Sequence, residues 1–114
     1  MEHVKGRACI RLSDEIVQLA PVKVEKPTAG ETVYSVMEVK GMFDLFHSFL
    51  LLPEGYTVIG VYFDVVFYMW SIIVESDAIA LPPPHEMIPT IWPSYQRTED
   101  GKVRLLGLEG AKGR

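Results

Sequence analysis

Residues 55–77, GYTVIGVYFDVVFYMWSIIVESD, form the most apolar stretch of the chain and constrain its fold more than any other segment. The 19 residues from Tyr56 to Val74 carry one charge, Asp64, near their centre. Length alone permits a membrane span, but a central Asp costs about 2.5–3.5 kcal/mol on insertion scales. The composition points elsewhere. Thr57, Val58, Ile59, Val61, Tyr62 and Phe63, and then Phe67, Tyr68, Trp70, Ile72, Ile73 and Val74, are β-branched or aromatic residues that suit strands. Pro53-Glu54-Gly55 before the stretch and Glu75-Ser76-Asp77 after it are turn-like stops. A β-hairpin is expected, and no membrane partner.

Strict alternation puts Thr57, Ile59, Val61 and Phe63 on one face of the first strand, and Val58, Gly60, Tyr62 and Asp64 on the other. In the second, Tyr68, Trp70, Ile72 and Val74 oppose Met69, Ser71, Ile73 and Glu75. Neither face is clearly polar, although a half-solvated antiparallel sheet normally alternates apolar with polar. The turn, Asp64-Val65-Val66-Phe67, lacks Gly or Asn and presents apolar side chains. A chain of 114 residues has little material with which to cover both faces. The expectation is therefore a homo-oligomer whose interface includes Val65, Val66, Phe67 and Trp70.

The remaining segments follow softer signals. Residues 4–12 read as an edge strand, and residues 13–24 as a further strand in preference to a short helix capped by Ser13. Residues 32–39 are ambiguous between strand and helix. Met42 to Leu52 reads as the principal helix, ended by Pro53. Leu81 to Pro89 is an extended Pro-rich arm that continues through Trp92-Pro93. Tyr95 to Leu108 reads as a second hairpin turning at Glu99-Asp100-Gly101. The fold class expected is α+β, mainly antiparallel β with two hairpins and one principal helix, oligomeric, as a single domain over residues 1–109 with a frayed tail at 110–114.

Charge and motifs exclude more functions than they suggest. The net charge is −4, and residues 31–94 hold one basic residue, Lys40, against eight acids. Such a chain lacks the basic track that a long nucleic acid requires. Cys9 is the one cysteine, which rules out an intrachain disulfide and a cysteine-cluster metal site and suits a reducing, cytoplasmic setting. The N-terminus has no apolar run of signal-peptide length. No phosphate-binding loop, dinucleotide turn, HExxH or nucleophile elbow is present. His3, His47 and His85 are scattered, so no metal site, catalytic residue or cofactor is expected. Asp64 stands among apolar residues, and at a turn a carboxylate most often caps backbone amides.

Binding chemistry is better represented. Trp92 and Tyr95 lie in or beside the Pro-stiffened arm, Arg97 and Arg104 follow on the second hairpin, and Arg7 and Arg11 alternate along the first strand. Aromatics with arginines can stack a base and grip a phosphate. The competing reading has the aromatics pinning the arm to the core and the arginines solvated.

The succession LPEGY, GVYFD, WSIIVESD, a Pro-rich arm, IWPSY and EDGKVRL resembles small phage and prophage proteins. Among these it is similar to the phage sponge proteins that counter Thoeris immunity. The resemblance covers about residues 42–106 and carries no diagnostic motif. It implies a non-catalytic cytoplasmic oligomer that sequesters a small nucleotide-like signal. The alternative is an interaction module that binds a host protein through its apolar hairpin.

Overall fold

The computed structural model describes residues 5–24, 36–64, 66–79 and 88–108, with the backbone alone for residues 36–40. Its elements are β1 (Gly6–Arg11), α1 (Asp14–Gln18), α2 (Val36–Phe49), β2 (Leu50–Leu51), β3 (Thr57–Asp64), β4 (Met69–Ser76), β5 (Thr90–Ile91), β6 (Ser94–Arg97) and β7 (Val103–Leu106). The chain is α+β. A four-stranded sheet runs in the order β3-β4-β1-β5 and a three-stranded sheet in the order β2-β7-β6. Most pairings are antiparallel; β1 with β5 and β2 with β7 are parallel.

The long apolar stretch forms the β3–β4 hairpin, with Asp64 opposite Met69 beside the turn. Its faces differ from strict alternation because the register shifts between Val58 and Gly60. A bulge inserts one unpaired residue, Ile59, and reverses the phase of everything before it. Val58, Val61 and Phe63 consequently share the inner face with Trp70, Ile72 and Val74, while Thr57 and Ile59 are exposed.

Strand β1 is interior, not an edge. It pairs with β4 from Gly6↔Ser76 to Arg11↔Ser71 and with β5 at Cys9 and Ile10. Ala8 and Ile10 face the core from it. Its other side chains, Arg7, Cys9 and Arg11, fall opposite Glu75, Ile73 and Ser71 and so give the outer face of the hairpin polar neighbours. The strand beside the hairpin thus adds to the polarity of Tyr62, Ser71 and Glu75 on that face.

Residues 14–18 are helical where a strand was expected. The Ser13 side chain accepts from the Ile16 N–H at 3.4 Å, Asp14 and Glu15 occupy the first turn, and Ile16 is fully buried. Local capping outweighs the weak strand propensity here. The principal helix begins earlier and ends earlier than the apolar run suggests. Leu50 and Leu51 leave it to pair with Val103 and Arg104. Pro53 disfavours helical geometry at Leu52, which helps to end it. Thr90–Ile91 forms a strand within what reads as an irregular arm; residues 81–87 of that arm and the tail at 110–114 lie outside the described residues.

The second hairpin, β6–β7, turns where expected, with Gly101 at φ 82°. Both sheets and both helices contribute to one buried cluster that includes Ile10, Leu12, Ile16, Phe46, Phe49, Trp70, Ile72, Val103, Leu105 and Leu108. Trp70 packs edge-to-face with Phe46 at 5.7 Å and with Phe63 at 5.2 Å between ring centroids. Trp70 is 3% exposed, so it is a core residue and presents no interface.

Candidate functional site

The outer face of the four-stranded sheet carries the densest polar and aromatic constellation among the described residues. Register creates it. Arg11 on β1 lies opposite Ser71 on β4, and Ser71 lies opposite Tyr62 on β3, which places three polar side chains in one row. From this row Arg11 Nη1 donates to Ser71 Oγ at 3.0 Å, to Tyr62 Oη at 3.2 Å and to Asp64 Oδ2 at 2.5 Å. The Tyr62 hydroxyl also lies 3.0 Å from Cys9 Sγ, so its ring reaches back across the sheet. Arg11 Nε has no protein partner.

Asp64 joins this row to the hairpin turn. Its Oδ1 accepts from the Val66 N–H at 2.8 Å and from the Phe67 N–H at 3.0 Å, the backbone cap expected of a turn carboxylate. The turn closes through Tyr68 at φ 56°, a left-handed conformation that a bulky residue adopts at a cost. The edge-to-face contact of Tyr68 with Phe63, at 5.1 Å, helps to hold it there. Thus fixed, the turn lays the Phe67 ring over the Arg11 guanidinium, with Cζ 4.9 Å from the ring centroid. Phe67 in turn meets Trp92 edge-to-face at 5.8 Å.

Electrostatics follows from these contacts. The Phe67 N–H, supported by Arg11 and the Val66 N–H, holds the Asp64 carboxyl below the ordinary carboxylate range despite partial burial. Burial works against the charge of Arg11, but the hydrogen bond to Asp64 and the neighbouring Cys9 and Tyr62 outweigh it and raise its pKa. Burial and then the Cys9 contact push the Tyr62 phenol up. The Arg11 and Asp64 side chains are 9% and 14% exposed. Both charges are therefore committed to each other.

Of the six residues expected to bind ligand, the structure brings two together. Arg11 and Trp92 meet through Phe67. Arg7 is exposed on the same face and makes a 3.5 Å ion pair with Glu75. Tyr95 instead donates to Glu15 Oε2 at 3.2 Å and so ties β6 to α1. Arg97 and Arg104 are exposed on the other sheet, one opposite Val103 and the other opposite Gln96, which puts them on its two different faces. Arg104 borders a shallow concavity of about 350 Å³ with Leu52, Pro53, Glu54 and Leu106. Arg7, Tyr95, Arg97 and Arg104 do not join the Arg11–Trp92 cluster. Of the expected interface, Val66 and Phe67 are exposed at the turn, Trp70 is buried, and Val65 lies outside the described residues.

The residues overlooked in the sequence are Tyr62, Ser71 and Phe67 as partners of Arg11. Only knowledge that β1 lies beside β4 would have revealed them. Among the described residues no group of His, Cys, Asp and Glu is placed to hold a metal ion, and no helix is long and apolar enough to cross a membrane. No protein-family model, curated protein or solved structure matches the chain.

Proposed function

We propose that this chain is a non-catalytic binding protein that engages a protein partner through the β3–β4 turn and Trp92. The observation that carries this reading is the exposure of Val66, Phe67 and Tyr68, at 83%, 55% and 40%, on a turn held from beneath by Arg11 and Asp64, with Trp92, 57% exposed, against Phe67. Aromatic side chains on a pinned backbone lose little entropy on binding, and such residues dominate interface energetics. The committed Arg11–Asp64 charges favour protein contact over phosphate recognition. The experiment places a photo-crosslinking residue at Val66 and examines the cytosol of the producing cell. A discrete adduct is expected. Its purified partner should bind the wild type and lose about 2 kcal/mol or more with Trp92→Ala, and should also lose binding with Phe67→Glu. A partner that binds Phe67→Glu as tightly as wild type overturns the reading.

A second reading is sequestration of a small nucleotide-like molecule, as the resemblance to phage sponge proteins implies. It is favoured by the Phe67–Arg11 stack beside an exposed Trp92, with Arg11 Nε lacking a protein partner. Native mass spectrometry of protein from producing cells distinguishes the two. A stoichiometric small molecule released on denaturation, and absent from Trp92→Ala, supports sequestration; an empty protein with an intact crosslinked partner supports the first reading.

A further inference from the structure

Edges of sheets invite pairing, and most edges of this molecule are guarded. At one margin β5 has two residues between Pro89 and Pro93. In the second sheet, β2 has two residues and is closely followed by Pro53, while β6 has four and bears the exposed Arg97. Short strands, prolines, exposed cations and bulges are the usual protections. Of these, strand β3 carries the bulge at Ile59 alone. It has eight residues, lies at the margin of its sheet, and has β4 as its one strand partner among the described residues. It contains no Pro, Lys, Arg or Glu. Its one charge, Asp64, is at the last position and is neutralised by Arg11.

Among the described residues, the outer margin of β3 is also open to another backbone. Gly60 has no side chain, and the contacts of Tyr62 with Arg11 and Cys9 carry its ring away from the edge and over its own sheet. A glycine in a strand often marks close approach by a second backbone. The bulge at Ile59 confines the regular part of the ladder to Gly60–Asp64.

We infer that β3 pairs antiparallel with β3 of a second copy of this chain, about a two-fold axis at Val61, joining two four-stranded sheets edge to edge. In this register Val61 meets Val61 and Gly60 meets Tyr62, and the two Asp64 residues lie apart at opposite ends of the paired segment, so no like charges face each other across the axis. The interface is self-complementary and satisfies both open edges at once, which argues for a second copy over a foreign strand. It uses the edge of the hairpin and leaves the turn and Trp92 free, so it stands apart from the proposed partner-binding surface.

The test uses the full chain. Light scattering across a concentration series should show a dimer, and amides of β3 should gain exchange protection as concentration rises. Ile59→Lys, at a position 39% exposed, should retain the circular dichroism of the wild type and become monomeric. Val61→Cys should form a self-disulfide on oxidation, because opposed residues of an antiparallel ladder have Cα atoms about 4.5–5.5 Å apart; wild type, with buried Cys9, should not. Phe67→Glu should remain a dimer. A wild type that stays monomeric overturns the proposal. So does a dimer that survives Ile59→Lys without Val61→Cys crosslinking, or a monomer whose β3 becomes protected only when the crosslinked partner is added.

Discussion

The Arg11 guanidinium lies 2.5 Å from the Asp64 carboxylate, two strands away and 53 residues further along the chain. That contact places the conformation of the hairpin turn under the control of β1. The shape of the turn depends on charge as well as on the packing of Tyr68 against Phe63.

Removing one member of this pair leaves the other charge buried without compensation. Asp64→Ala should destabilise the protein by about 3–5 kcal/mol. The double variant Arg11→Met/Asp64→Ala should be more stable than Asp64→Ala alone, since no charge is then stranded. Urea denaturation of the two variants and the wild type checks this.

Stability should fall in acid for the same reason. The folded state holds the Asp64 carboxyl below its ordinary range, chiefly through the Phe67 N–H. Its contribution is complete above the unfolded value of about 3.9 and is lost as pH falls through the lower folded value. Asp100, lowered by the Thr98 hydroxyl, acts in the same direction. Asp64→Asn should flatten the acid limb of a plot of urea midpoint against pH without abolishing it.

The two tryptophans should report separately. Trp92 is 57% exposed and Trp70 is 3% exposed. Iodide should quench part of the emission of the wild type and almost none of Trp92→Phe, whose remaining emission should be blue-shifted.

Phe46 is fully buried against Trp70 and Phe49, where helix and sheet meet. Phe46→Ala should cost about 3–5 kcal/mol, read as a lowered thermal midpoint.

Ser13 closes the first turn of α1 with its side chain. Ser13→Ala should cost about 1 kcal/mol, while Ser13→Asp should leave the thermal midpoint nearly unchanged.

Much of the fold could be read locally. Both hairpins, a principal helix ahead of Pro53 and the capping role of Asp64 depend on residues close in sequence, and the structure has them, with the helix at Val36–Phe49 in place of Met42–Leu52. The readings that needed correction depended on distant partners. β1 looks like an edge from its alternating charges, but those charges face a polar row contributed by β3 and β4. Leu51 looks like the end of a helix until Arg104 is seen across from it. The site divides in the same way: Arg11 and Trp92 were identifiable by residue type, whereas the role of Phe67 between them depends on a turn pinned by a carboxylate.

The extra residue in β3 makes the hairpin unequally tolerant of length change. Val58 and Gly60 are separated by Ile59, while their partners Val74 and Ile73 are adjacent. Deleting Ile59 would join two segments that are already in phase, and no side chain would have to change sides. Deleting a single residue between Gly60 and Phe63 would turn part of the strand over, putting core side chains in water. Position 59 is thus a place where this strand can be shortened without losing its reading frame.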